Sequence, residues 1–376
     1  MREEVAPFAS LTSSARLPFG LTPPPMNFAS TNGSNQKNGD ESGDGTWVLG
    51  IDLGGTTIKF GLFRGDKLIW RNHLRTADFE SLGSAFQSCR DSVEDTLKES
   101  SHSIEDLHAI GLAMAGVLDP KAEVLAETAN LHRWHHLNFR QQISDVYQKP
   151  VALLNDADAA ALAEAAHGLC RANSLVLLTL GTGVGGGVIL DGRPIRGANG
   201  CGGEIGHATI DFAADARMCG CGFPGHLEAY AGSAGVIQTA NERLAMSDAH
   251  SSLRNMQALT PLSIANAAAD GDTIASEMIE QTGIMIGRAI AMFAHVVDPD
   301  VVLLGGAMTF GGPGTDTGKQ FLKSIREECF PRTLVQISSH LKIEFATLGN
   351  DAGIVGAAHY ARQVADETSR PGTAIR

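Results

Sequence analysis

Trp47-Val48-Leu49-Gly50-Ile51-Asp52-Leu53-Gly54-Gly55-Thr56-Thr57-Ile58-Lys59-Phe60 is the stretch on which the reading of this chain turns. An apolar run from Trp47 to Asp52 ends in glycines, a second run covers Ile58 to Phe63, and Lys67 to Arg75 reads as a third, so the segment predicts a hairpin followed by another strand. Glycines at such a turn let backbone N–H groups approach phosphate oxygens. Thr56 and Thr57 add hydroxyl donors, and Asp52 at the strand end suits a carboxylate that holds the hydration water of Mg²⁺. Read alone, a tight hairpin with a capping Asp accounts for the same residues equally well.

The pattern returns. Leu175 to Leu180 and Gly186 to Leu190 flank Gly181-Thr182-Gly183-Val184-Gly185-Gly186-Gly187, where five of seven positions are glycine. So many glycines cost folding entropy that a plain hairpin has no use for, and a second phosphate-facing turn accounts for them. No Gly-Lys-Ser/Thr follows, so this is not a Walker loop; a strand rather than a helix follows, so it is not a dinucleotide fingerprint. Two similar hairpins imply two related lobes facing one cleft. Further strands are expected at His108–Ala113, Val151–Leu154 and Val301–Leu304, and helices over 78–100, 155–166 (with Gly168 beyond its end), 273–296 and 353–365. Alternating strands and helices make the class α/β.

Bulk properties narrow the function. The 376 residues allow two lobes of ordinary size. Lys and Arg total 29 against 42 Asp and Glu, a net charge of −13, which excludes a surface built to wrap nucleic acid. It leaves room for a phosphate site, because backbone amides and a bound metal hold phosphate without net positive charge. No apolar run is long enough for a membrane span. The six cysteines do not space as a disulfide framework, so a reduced, cytoplasmic setting is expected. Residues 1–45, rich in Ser, Pro, Gly and Asn with the run Pro23-Pro24-Pro25, read as a disordered extension that cannot bury enough apolar surface to order itself.

Two further constellations carry chemistry. Asn155-Asp156-Ala157-Asp158 opens a helix, and one Asn or Asp there is explained as an N-cap. A cap needs only one such residue; the extra carboxylate has the chemistry of a general base toward a hydroxyl nucleophile. The second is Glu204-Ile205-Gly206-His207, then Cys219-Gly220-Cys221, then His226-Leu227-Glu228. His207, Cys219, Cys221 and His226 make a Cys₂His₂ set of the kind tetrahedral Zn²⁺ takes. With no open position evident, the metal reads as structural, stapling a loop that presents Glu204 and Glu228.

In this order, these elements resemble the ROK family of sugar kinases and sugar-responsive repressors, from about Trp47 to Ala365. The specific parts are Gly197-Ala198-Asn199-Gly200 with Gly203-Glu204-Ile205-Gly206-His207 and the Cys-Gly-Cys-Gly segment after it. Asn130-Leu131 with Trp134, Asp298-Pro299 with Leu304-Gly305-Gly306, and Leu348-Gly349 with Asp351-Ala352-Gly353 agree as well. The resemblance implies a two-lobed, actin-like (ribonuclease H-like) ATPase fold. The lobes would be 46–157 with about 350–376, and 158–349 with the zinc-binding loop. It also implies an ATP-dependent hexose kinase, with glucose giving glucose 6-phosphate as the first expectation; Glu204-Ile205-Gly206-His207 is closer to the family's glucokinases than to its fructokinases. N-acetylmannosamine and N-acetylglucosamine stay open as acceptors.

Carried over by position, Asp156 matches the family's base. Asn130, Asn155, Asp156, Glu204, His207 and Glu228 match its sugar-binding residues. Asp52, Gly54, Gly55, Thr56, Thr57 and Lys59, with Gly181, Thr182 and Gly183, match the ATP and Mg²⁺ region, and Gly305 and Gly306 lie near the adenosine. A homodimer is implied by analogy. The chain departs from the family at His226, where a third Cys is usual; His also binds Zn²⁺. Cys201 is not counted as a ligand. The rival class, a sugar-responsive transcription regulator, carries a helix-turn-helix ahead of the sugar lobe, and residues 1–45 show no helical periodicity.

Overall fold

The structure is a computed structural model that describes residues 45–369 apart from Pro120, Ala122, residues 128–130, His132, Arg133 and His135. The expected extension and the site candidate Asn130 lie outside the described residues.

The first half builds one sheet. β1 (Trp47–Leu53), β2 (Thr57–Arg64) and β3 (Lys67–Arg75) form an antiparallel meander, as their runs predict. Helix α1 (Leu82–Glu99) starts later than the expected position 78, because the Ser81 hydroxyl accepts from Ser84 N–H and caps it there. Its Leu82, Ala85, Phe86, Cys89, Val93 and Leu97 recur at helical spacing and are buried on the sheet. β4 (Leu107–Met114), the short pair β5 (Val117–Leu118) and β6 (Leu125–Glu127), α2 (Phe139–Tyr147) and β7 (Val151–Asn155) complete it. The order is β3-β2-β1-β4-β7, with β4 parallel to β1 and to β7. All but one residue of β4 is buried, which is the near-continuous apolar run of a parallel strand covered on both faces.

The second half repeats the plan. After α3 (Asp156–His167) come β8 (Leu175–Leu180), β9 (Val184–Leu190) and β10 (Arg193–Pro194), then α4 (Glu228–Ala231), α5 (Ser233–Met246), α6 (Pro261–Ala269), α7 (Thr273–Val297), β11 (Val301–Gly305), α8 (Asp316–Cys329), α9 (Val335–Ser338) and β12 (Lys342–Phe345). The sheet runs β10-β9-β8-β11-β12: the hairpin is antiparallel, while β11 is parallel to β8 and to β12. Both sheets thus have the same order and the same strand senses. α10 (Ala352–Thr368) ends the described chain.

Two helices join the sheets. α10 lays Ile354, Ala358, Ala361 and Ala365 on Val48, Ala109 and Ala152 of the first sheet. α3, alanine-rich and buried, packs on Leu175, Leu177 and Ile189 of the second. The two helices meet backbone to backbone. A Cβ placed on Gly356 would come within 1.8 Å of Ala159 O, and one on Gly111 of β4 within 1.9 Å of Ala357 O. Those positions are closed to any side chain, because backbone cannot move aside as a side-chain tip does.

Replacing Gly356 by Ala is therefore expected to destabilise the fold by about 3 kcal/mol, the upper end for overpacking. Gly314→Ala, at a glycine with open space around it, should stay near neutral. Urea midpoints of the two variants against the parent check this; equal midpoints would contradict the packing described.

Candidate active site

The ends of both sheets and the first turns of α3 and α10 bound a cleft of about 1060 Å³. Its wall takes Asp52 from β1, Lys59 from β2, Asn155 and Asp156 from the β7–α3 junction, Gly181, Thr182 and Gly183 from the β8–β9 turn, Glu204 and His207 from the loop after β10, Glu228 from α4, and Gly306 after β11. Most of the site candidates named from the sequence are thus brought together. Gly54, Gly55, Thr56, Thr57 and Gly305 are not in the wall. The β1–β2 turn folds back on itself instead: Gly54 N–H donates to Thr57 O at 3.0 Å, and Thr76 Oγ1 donates to Gly54 O at 2.9 Å.

Asn155 caps α3 as expected and also reaches back to the segment after β4. Its Oδ1 accepts from Ala157 N–H at 2.8 Å and from Asp158 N–H at 3.3 Å, capping α3, while its Nδ2 donates to Gly116 O at 2.9 Å. The second bond brings Ala115, Gly116 and Val117, the loop after β4, into the wall. Sequence reasoning missed this loop, and its small apolar residues offer no chemical signal. It also assigned no role in the site to Gly349, Asn350, Ala352 and Gly353 of the wall; the signal there was the Gly-rich run 349–353 ahead of a helix.

Asp156 is the first residue of α3, and its Oδ1 accepts from Ala157 N–H at 2.9 Å. Burial raises its pKa from the ordinary carboxylate value to about 6, and the nearby charge of Asp52 adds to the effect. Asp52 itself pairs with Lys59, its cross-strand partner, at 3.1 Å. The cleft so holds one carboxyl that exchanges its proton near neutral pH and a second one that is salt-bridged.

Glu228 ties two parts of the site together. Its Oε2 accepts from Val184 N–H at 3.0 Å, just past the glycine turn, and its Oε1 accepts from the Cys219 thiol at 3.4 Å. A Cβ on Gly183 would lie 2.1 Å from Glu228 Oε2, so a larger residue there would push the carboxylate off Val184 N–H.

Behind this wall, the donor atoms of His207, Cys219, Cys221 and His226 all lie within 4.8 Å of one another. Cys221 Sγ is 3.2 Å from His226 Nδ1, and Cys219 Sγ is 3.9 Å from His207 Nδ1. Bonds of about 2.0–2.3 Å to a tetrahedral Zn²⁺ put ligand atoms roughly 3.5 Å apart, so the four fit that ion. His207 belongs to both the cluster and the cleft wall. Cys201 is exposed and outside the cluster, as expected, and the cysteines of the described chain are free thiols.

With this geometry in hand, known proteins are informative. The chain superposes on the ROK hexokinase of Thermus thermophilus with a TM-score of 0.70 at 29% identity, over 85% of this chain and 99% of that one. It superposes on a ROK family glucokinase of Streptomyces griseus, solved with glucose and AMPPNP, with a TM-score of 0.61 at 26% identity, over 84% and 99%. A glucokinase of Halalkalibacterium halodurans is 30% identical over 84% of this chain and 95% of its own length. The duplicated sheets are those of the actin-like ATPase fold. The ROK family profile matches residues 48–364, and the protein belongs to that family.

Proposed function

We propose that the protein is an ATP-dependent hexose kinase that phosphorylates a sugar hydroxyl, glucose before other hexoses, with Asp156 as general base. The observation that carries this is the placement of Asp156, with its raised pKa, in one cleft wall with the Gly181–Gly183 turn and the polar set Glu204, His207 and Glu228.

The residues divide the work as follows. Glu204 and Glu228 accept hydrogen bonds from sugar hydroxyls, and Asn155 orients the rim next to Gly116. Asn130, outside the described residues, belongs to the same sugar-binding set. Asp156, once deprotonated, takes the proton of the attacking hydroxyl. His207 directs Nδ1 to the Cys219 side and keeps its other ring nitrogen for the sugar. Asp52, Lys59 and Gly181–Gly183 hold the phosphate end of the nucleotide, Gly306 its adenosine end, with Gly54–Thr57 backing Asp52. When bound, ATP supplies the phosphoryl group and Mg²⁺ offsets its charge. His207, Cys219, Cys221 and His226 would hold a structural Zn²⁺ that rigidifies the loop carrying the sugar contacts. Closure of the two lobes on the bound substrates would exclude water from the phosphoryl group. A homodimer is part of this reading, and light scattering tests it.

Asp156→Asn keeps shape and loses the base. Its kcat is expected to fall by about 10² or more, the scale of general-base loss, while glucose affinity is kept. In a coupled ADP-release assay over glucose, fructose, N-acetylmannosamine and N-acetylglucosamine, glucose should give the highest kcat/KM; a higher value for another sugar reassigns the acceptor. Because the base works only without its proton, and its folded pKa is about 6, kcat/KM should rise with pH through an acid limb centred near 6. That limb should vanish in Asp156→Asn. Near-parental kcat in the variant would remove Asp156 from the mechanism. For the metal, elemental analysis of protein purified without chelators should find about one zinc per chain, a tetrahedral site's worth. Cys219→Ser should lower both zinc content and melting temperature, and zinc near zero in the parent would reject the site.

A further inference from the structure

Asp158 carries a carboxyl that the mechanism above does not use. It stands on α3 two residues after Asp156, with 5% of its surface exposed. Asn155 already caps the helix, so the carboxyl is not needed for that. It is absent from the cleft wall, and its Oδ1 is buried without a hydrogen-bond partner among the described residues. A buried acceptor left in this way costs folding free energy, so its placement asks for a cause.

Its surroundings supply one. Gly203, in the loop after β10, rests on a floor made by Asp158 and β9: a Cβ there would lie 3.4 Å from Asp158 Oδ1, 3.3 Å from Gly186 O and 3.5 Å from Gly187 Cα. Gly203 has φ +87°, a conformation that favours glycine, and the next residue is Glu204 of the cleft wall. The charged groups that face Asp158 are Arg196 and Glu204 from that loop and Asp156 on its own helix; β9 offers only glycines to this floor. Burial pushes the Asp158 pKa well above the ordinary carboxylate value; Arg196 works against this, and the charges of Glu204 and Asp156 add to it. The carboxyl thus keeps its proton where an ordinary one has lost it.

We infer that Asp158 is a positioning residue for sugar recognition: as a neutral acid it supports the Gly203–Glu204 turn and so fixes where the Glu204 carboxylate stands, and a negative charge on it displaces Glu204. The inference rests on the kinase reading and deepens it, because Glu204 is one of the proposed acceptors for sugar hydroxyls. Two effects act in the same direction. A charge on Asp158 repels Glu204, and it draws the Arg196 guanidinium. Gly202 N–H donates to Arg196 O at 2.9 Å, so a pull on Arg196 is passed along the backbone to the turn.

The test is calorimetric binding of glucose without nucleotide, at neutral pH and at about pH 9.5, so that no turnover is needed. In the parent, affinity should fall about tenfold at the higher pH, the scale of a lost hydrogen bond to a charged group. Asp158→Ala, which removes the support, should weaken glucose binding at both. Asp158→Asn, neutral and of the same shape, should restore the affinity at neutral pH and keep it at the higher one. Stability has a matching sign: a carboxyl whose pKa is raised on folding costs stability as pH rises from its unfolded towards its folded value. Asp158→Asn should therefore melt no lower than the parent, which separates lost positioning from lost fold. A flat parental profile, an alkaline loss that persists in Asp158→Asn, or parental affinity in Asp158→Ala would each overturn the assignment and leave the kinase reading intact. A parent chain that binds none of glucose, fructose, N-acetylmannosamine and N-acetylglucosamine would overturn both.

Discussion

The joint between α3 and α10 is the contact on which everything else rests. Each helix covers a different sheet, and the two touch through backbone at Gly356 and Ala159 with no side chain between. Both helices also begin at the cleft: Asp156, Ala157 and Ala160 line it from α3, Ala352 and Gly353 from α10. The same contact that holds the halves together therefore aims two helix N-termini, with their unsatisfied N–H groups and positive dipole ends, at one volume. A shift of that joint by one side-chain thickness would separate Asp156 from the glycine turn opposite it. Alanine and glycine dominate there because the geometry of the cleft is set by how closely two backbones approach.

Charge in the cleft follows the same division of labour. Four carboxylates around a site for a polyanion look unfavourable, yet a neutral sugar is recognised by acceptors for its hydroxyls, and ionised carboxylates are strong ones. Burial first, and the nearby charge of Asp52 after it, move Asp156 up to about 6. That is the direction a general base needs, since a base with an ordinary carboxylate pKa accepts a proton only weakly. The carboxylates that would serve sugar binding on the proposed reading thus add to what burial does at Asp156, while Lys59 pairs with Asp52. A net charge of −13 is compatible with the proposed phosphate site, which would work through local amides and a single ammonium.

Much of this was legible in the sequence, for identifiable reasons. The two hairpins announced themselves because antiparallel strands joined by a glycine turn are local in the chain. The central strands β4, β8 and β11 did so because burial on both faces leaves a continuous apolar run. The Cys₂His₂ set was legible because donor type and close spacing carry the chemistry without the fold. What was illegible depends on distant partners. β12 has four residues and exists through its pairing with β11, about forty positions earlier. The Ala115–Val117 wall enters the site because Asn155 reaches back to Gly116. Gly54–Thr57 reads as a phosphate turn by composition; in the structure Gly54 N–H bonds Thr57 O, and Asp52 and Lys59 on either side of the turn line the cleft. Composition identifies which groups have the chemistry; direction along a strand decides which of them uses it.

The departure at His226 fits the electrostatics of this wall. Glu228 shares its carboxylate between the Cys219 thiol and the backbone of Val184, so the metal-type cluster and the glycine turn form one mechanical unit. Glu204 and His207 sit on the same loop, with Gly206 pressed against Val184 O so tightly that a Cβ would lie 1.8 Å away. Were Zn²⁺ bound there, Cys219 would give up the proton it now shares with Glu228, and two thiolates with two neutral imidazoles would balance the ion's charge, whereas a third thiolate would leave a net negative charge beside Glu228. In a wall already carrying four carboxylates, a neutral imidazole at position 226 adds a ligand without adding to that repulsion. The ring is also held in place on its own account: it stacks on Phe223 with centroids 6.2 Å apart, and its backbone bridges to Thr209. On the proposed zinc reading, His226 would therefore complete the bracket behind Glu204, His207 and Glu228 without adding negative charge to it.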